Sequence, residues 1–238
     1  MRLAGKVAIV TGAGGGFGEG IARRFAAEGA KVAVVDLRGD AAAAVAASIG
    51  PAAIALTADV GVEADVNRVV ADTVAHLGTP DILVNNAGVT HRNRPILEVD
   101  EATFDLMFRV NVKSIFFFVR ATAPVMRDNG GGVIINIGST AGIRPRPGLT
   151  WYNATKGAVN LVSKSLAVEL APWKVRVNVI CPVIGETGLL ESSDTYDLMA
   201  ETLEDSLIVA FRRSDILAAL QHSLPATQAL LRLVSERR

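Results

Sequence analysis

A rhythm in the first 180 residues limits this chain more than anything else in it. Six short runs of apolar and β-branched residues recur at Lys6–Val10, Lys31–Asp36, Ala53–Ala58, Asp81–Asn85, Val133–Ile137 and Val175–Cys181. They are nearly continuous in apolar residues, as strands covered on both faces must be. Longer stretches with helical spacing lie between them. Phe17–Glu28 carries Ile21, Phe25 and Ala26 on one side and Arg23, Arg24 and Glu28 on the other. Val62–His76 repeats the pattern with Val66, Val69, Val70 and Val74, and Ala41–Ala47 has ordinary helix composition. Asp100–Met126 and Thr150–Leu170 read as two long helices. Strands alternating with helices at this spacing build βαβ units. The expected fold is α/β, a doubly wound parallel sheet in a single domain with helices on both faces.

Composition narrows the function classes. The chain has 238 residues, 50% of them hydrophobic and 20% charged, which supports a sizeable core and excludes disorder. Lys plus Arg (24) equals Asp plus Glu (24), so no net field recruits nucleic acid or an anionic membrane. The single cysteine, Cys181, excludes an internal disulfide, and His76, His91 and His222 lack metal-ligand spacing. No metal is expected. No apolar run approaches the ~18 residues of a membrane span, and Arg120 interrupts the most apolar helix. Val7–Val10 is too short for a secretory core of about 7–15 apolar residues. A cytoplasmic protein is expected, in which the sequon Asn153-Ala-Thr155 is chance.

The first strand runs into Thr11-Gly12-Ala13-Gly14-Gly15-Gly16-Phe17-Gly18, which opens the first helix. Placement matters more here than the glycine count. Backbone without Cβ atoms can approach a pyrophosphate, and a helix N-terminus offers N–H groups and a positive dipole end. Asp36 ends the second strand, 18 residues after Gly18. A carboxylate there accepts from ribose hydroxyls and repels a 2′-phosphate, so NAD(H) is favoured over NADP(H). Arg38 could pair with such a phosphate but reads as a solvated loop charge. Ligands of open α/β sheets bind beyond the carboxyl ends of the strands. The polar residues at those ends are Asp59, Asn85-Asn86-Ala87-Gly88, Ser139 and Thr187.

Tyr152 and Lys156 stand four apart in a helical stretch and so share a face. A phenol of pKa ~10 is a poor acid or base at neutral pH, and a neighbouring ammonium lowers that value. Tyr152 could then exchange a proton with an alcohol or carbonyl oxygen that Ser139 also holds.

With these residues assembled, the chain resembles the short-chain dehydrogenase/reductase family over roughly residues 3–190. The matching motifs are Thr11-Gly12-x-x-x-Gly16-x-Gly18, Asp59-Val60, Asn85-Asn86-Ala87-Gly88, Asn111, Ser139 and Tyr152-x-x-x-Lys156. The resemblance implies a Rossmann sheet and hydride transfer between a nicotinamide and a secondary alcohol or ketone, with NAD as cofactor. It implies that Ser139 orients substrate, Tyr152 is the acid/base, and Lys156 binds the nicotinamide ribose and lowers the tyrosine pKa. Asn111 would support a water chain to that lysine, Asp59 would contact adenine, and Asn86-Ala87-Gly88 would line the cofactor cleft. Phe17 falls within the phosphate loop, and Thr187 falls where the family sets a threonine against the nicotinamide carboxamide. The resemblance is strongest to the broad group of 3-oxoacyl-[acyl-carrier-protein] reductases and secondary-alcohol dehydrogenases.

Two departures accompany it. Pro182 is followed by Val183 where the family has glycine, which reads as local variation. All 22 glycines lie at or before Gly188, and the tail lacks the family's last strand and terminal Val-Asp-Gly-Gly segment. The expected division is a dinucleotide-binding and catalytic domain over 1–192 and an atypical helical tail over 193–238, with helices at Asp194–Arg212 and Asp215–Leu224. Genuine divergence and a changed reading frame both account for such a tail. Two functions are therefore weighed: an NAD-dependent oxidoreductase, and a dinucleotide binder with weak or no catalysis. The large apolar groups Phe104, Phe108, Ile115, Phe116, Phe117 and Phe118 exceed what one sheet-facing stripe can cover. Some of them should be exposed in a monomer and mark an interface, and the resemblance implies a homodimer through the two long helices, with a tetramer possible.

Overall fold

A computed structural model describes residues 1–182. Thr187 and the two expected tail helices lie outside the described residues.

The six expected strands form, with shifts of at most one residue at their ends. They are β1 (Val7–Thr11), β2 (Lys31–Asp36), β3 (Ala53–Thr57), β4 (Ile82–Asn85), β5 (Gly132–Ile137) and β6 (Val175–Ile180). All pair in parallel in the order β3-β2-β1-β4-β5-β6. The helices are α1 (Gly16–Ala27), α2 (Gly39–Ile49), α3 (Glu63–His76), α4 (Glu101–Phe108), α5 (Ser114–Asp128) and α6 (Thr150–Leu170). The doubly wound parallel sheet expected from the sequence is what the chain adopts.

Side chains alternate across the sheet because strand geometry has period two. Ile9, Val35, Leu83 and Ile134 fall in a core with Val66 and Val69 of α3 and Phe117, Phe118 and Met126 of α5. Their neighbours Ala8, Val10, Val32, Val34 and Val84 fall in a second core with Ala22 of α1 and Ala42 and Val45 of α2. Two-sided covering explains why these strands read as unbroken apolar runs.

The stretch Asp100–Met126, expected as one helix, is interrupted. Between α4 and α5 the residues Arg109–Lys113 form a π-helical turn. Such single wide turns often sit at functional sites. At its centre Asn111 is 2% exposed and bonds outside its own helix, as described below.

In this strand order the connections from β1 and β4 leave toward opposite faces, which opens a crevice between their carboxyl ends. The loops after β1, β4 and β5 converge there.

Candidate active site

The glycine loop is held from behind by β4. Asn86 donates from Nδ2 to the carbonyls of Thr11 (2.8 Å) and Gly12 (3.1 Å). The Thr11 hydroxyl accepts from the amides of Asn86 and Ala87, both at 3.0 Å. These bonds press the loop against β4, which leaves no room for a side chain at Gly12 or Gly18. A Cβ at Gly18 would overlap the Gly12 carbonyl oxygen, and one at Gly12 would come 2.9 Å from the Ala87 Cα. Gly12 and Gly16 also hold φ of +61° and +57°, which favours glycine. α1 then begins without a side-chain cap, leaving its first-turn amides for a ligand. Phe17, in that first turn, is 42% exposed. The cradle fits a pyrophosphate.

Beyond the loop stand two carboxylates. Asp36 accepts from the amides of Gly14 (2.8 Å) and Arg38 (2.9 Å). A carboxylate has about four acceptor sites, so two remain for a ribose diol. Arg38 is largely exposed, as expected, but its Nε lies 3.7 Å from Asp36. Asp59 follows β3, the neighbouring strand. It accepts from the Gly61 amide at 2.8 Å and from Nη1 of Arg109 at 2.7 Å. Val60 beside it is buried in the core.

At the other end of the crevice, Lys156 is 5% exposed on α6, one turn after Tyr152. Its Nζ donates to the Ile137 carbonyl at 2.8 Å and lies 5.9 Å from the centroid of the Tyr152 ring. Burial drives the ammonium down to about 8, an effect the Cys181 thiol partly offsets. Burial in turn pushes the Cys181 thiol up. Gly88 abuts this amine. A Cβ there would stand 3.5 Å from Lys156 Nζ and 3.3 Å from Asn111 Oδ1.

Asn111 donates to the Val89 carbonyl (2.9 Å) and to the Thr155 hydroxyl (3.0 Å), and accepts from the Val89 amide (2.8 Å). It thereby locks the segment after β4 to α6. Ser139, 6% exposed, accepts from the Ala141 amide at 3.1 Å, which leaves its hydroxyl hydrogen to donate elsewhere. Its turn packs directly on the α6 backbone: a Cβ at Gly142 would meet the Gly157 amide nitrogen at 2.6 Å. Ser139, Tyr152, Lys156 and Asn111 are thus gathered around the ends of β4 and β5, while Gly12, Gly16, Gly18, Asp36 and Asp59 line the ends of β1 to β3. Thr187 lies outside the described residues.

Sequence reasoning placed Thr11 in the loop without giving its hydroxyl a role, and missed Arg109 and Asn136. Thr11 shapes the loop through its hydroxyl. Arg109 holds Asp59. Asn136, fully buried in β5, accepts from Asn85 (2.8 Å) and donates to Ser163 of α6 (2.9 Å), tying two strands to the helix that carries Tyr152. The signal for Asn136 was an amide inside the apolar run Val133–Ile137. Nothing local signalled Arg109.

Comparison with known proteins agrees with this geometry. The family model described as "short chain dehydrogenase" matches residues 6–197. The 4-formylbenzenesulfonate dehydrogenase of Comamonas testosteroni is 45% identical over 193 residues, 80% of this chain and 77% of that protein. The galactitol 2-dehydrogenase of Agrobacterium fabrum is 41% identical over 197 residues, 82% of this chain and 77% of that protein. The crystal structure of a 3-ketoacyl-(acyl-carrier-protein) reductase from Brucella melitensis, complexed with NADH, superposes with a TM-score of 0.79 at 49% identity, covering 80% of this chain and 81% of that one. With its sheet order, glycine cradle and buried lysine beside a tyrosine, this chain belongs to the short-chain dehydrogenase family and is an oxidoreductase.

Proposed function

We propose that this protein transfers hydride between NAD(H) and a small secondary alcohol or ketone, with Tyr152 as the acid/base. The observation that carries the reading is the Lys156 amine, buried, held by the Ile137 carbonyl and set beside the Tyr152 ring. A bound nicotinamide supplies or accepts the hydride. The chain does the rest. The glycine cradle and α1 N-terminus bind the pyrophosphate, and Asp36 binds the adenosine ribose. Ser139 donates to the substrate oxygen and fixes it near the phenol. In reduction the Tyr152 phenol gives its proton to that oxygen; in oxidation the phenolate takes it back. The Lys156 ammonium stabilises the phenolate and lowers the cost of each transfer. Asn111 holds the floor of this end of the crevice. The relatives named above act on an aromatic aldehyde sulfonate and on a hexitol, so the family resemblance leaves the substrate side open among small polar carbonyl compounds and alcohols.

The direct test is a spectrophotometric screen for NADH formation or consumption against a panel of secondary alcohols and ketones, with NADH affinity measured in parallel. Turnover with any member supports the enzyme. Tight NADH binding with no turnover across the panel favours a dinucleotide binder. Cofactor choice has its own test. Asp36 offers two acceptors to a ribose diol and a charge against a 2′-phosphate, so NADH should bind more tightly than NADPH. Asp36→Ala should weaken NADH binding and narrow that gap. Tighter binding of NADPH by the unaltered protein would reverse the assignment.

A further inference from the structure

Arg109 has no place in the mechanism above, yet it makes a short ion pair inside the cofactor crevice. Its Nη1 donates to Asp59 Oδ2 at 2.7 Å across 50 residues of sequence. The pair is half-buried, the arginine side chain 40% and the aspartate 26% exposed. The arginine also lies flat against Gly61, where a Cβ would come 2.7 Å from its Cγ. Arg109 opens the π-helical turn, and two residues later the same turn presents Asn111 to Val89 and Thr155. One wide turn therefore reaches both ends of the crevice.

The family resemblance implies that Asp59 contacts adenine, and the order of strand ends agrees with it. The phosphate cradle is at β1 and the ribose acceptor, Asp36, is at β2. β3 is the next strand out, with Thr57 in register with Asp36 and the Ala58 amide bonded to the Asp36 carbonyl at 3.0 Å. A nucleoside whose ribose sits at Asp36 extends its base over the end of β3. The Asp59 carboxylate has about four acceptor sites, of which the Gly61 amide and Arg109 use two. The rest suit a base that offers a hydrogen-bond donor. Adenine does so through its exocyclic amine; hypoxanthine has a carbonyl oxygen in that place, and its N1–H donor lies beside it rather than there.

We propose that Arg109 is a positioning residue for adenine recognition: it holds the Asp59 carboxylate in the orientation that accepts from the adenine amine. The proposal rests on the dinucleotide reading above, and its test separates the two. Kd is measured by calorimetry for NADH, for its hypoxanthine analogue, and for reduced nicotinamide mononucleotide, which has no base at this end. The unaltered protein should favour NADH over the hypoxanthine analogue by on the order of tenfold, the scale of one hydrogen bond to a charged acceptor. Arg109→Ala should bring that ratio to within about twofold and leave mononucleotide affinity unchanged. Arg109→Lys, which keeps a cation but not the fork, should restore part of it. A purely structural role would weaken both dinucleotides equally and leave the ratio intact. Because Arg109 acts through Asp59, Arg109→Ala combined with Asp59→Ala should discriminate no worse than Asp59→Ala alone. If Arg109→Ala lowers Tm sharply, the ratio is read in Arg109→Gln, which keeps a neutral donor. An unchanged ratio in these variants, a ratio near one in the unaltered protein, or additive effects in the double variant would overturn the proposal. Failure of every dinucleotide to bind would overturn it together with the cofactor reading itself.

Discussion

The proposed function gives Tyr152 and Lys156 different work, and two measurements separate it. Tyr152→Phe removes the transferable proton with almost no change in shape. Turnover should fall by a factor on the order of 10²–10⁴, the usual span for an acid–base group, with NADH affinity nearly unchanged. Retained turnover would move the acid elsewhere. Lys156 leaves a mark on stability. Burial holds its folded pKa down to about 8, below the ordinary lysine value of 10.5. Below about pH 8 the amine is charged in both states and burial of that charge opposes folding. Between about 8 and 10.5 the unfolded chain binds the extra proton, so stability gains as pH rises through this window. Urea unfolding at pH 7 and pH 10 should show the unaltered protein gaining up to about 3 kcal/mol relative to Lys156→Met. Equal pH dependence in the two proteins would show that the amine is better solvated than its burial implies. The pairing of Tyr152 with Lys156 was legible in the sequence because helical spacing puts i and i+4 on one face. Arg109 was not legible, because its partner lies 50 residues away and only the folded sheet brings the two together.

At the level of elements, the strands and α6 could be read from the chain because burial on both faces and a long 3.6-residue period leave plain patterns. The bounds expected for the last long helix, Thr150–Leu170, are those observed. The stretch Asp100–Met126 looked like one helix because its helical pattern runs straight through the π turn, where an asparagine has turned outward to serve another segment. The glycine loop was recognisable by its placement, but the reason for its composition is tertiary. Gly18 faces the Gly12 carbonyl and the Asn86 amide, so Gly18→Ala must push the loop away from β4. NADH affinity should drop at least tenfold while far-ultraviolet circular dichroism stays that of the parent. Asn86→Ala reaches the same loop from the other side by orphaning two carbonyls. If Gly18→Ala binds NADH normally, the loop is softer than the close contact implies.

For the molecule as a whole, the aromatic surplus sorts itself unevenly. Ile115, Phe117 and Phe118 are buried, and Phe104 stacks on Phe108 and meets Trp151 edge-on at 5.0 Å. Phe116 remains 53% exposed under Arg120, and on α6 Leu161 and Val168 are 67% and 76% exposed. Exposed apolar groups on two long helices favour self-association. Light scattering at micromolar protein should give a dimer, and Phe116→Glu with Leu161→Glu should give a monomer of similar Tm. A monomer before substitution would remove this reading, and a tetramer would call for a second face. The bonds from Asn86 to Thr11 and Gly12 carry a consequence for how the chain is made. They join residues 74 and 75 apart, and β1 pairs with β4 through Ala8 and Ile82. During synthesis the first βαβ unit therefore emerges with its glycine loop held on the β2 side alone, by the bonds of Ala13 and Gly14 to Val35 and Asp36, and the β4 side is fixed only after β4 has left the ribosome and docked. A dinucleotide bound at this loop is therefore expected to stabilise the chain most once its sheet has closed across its centre.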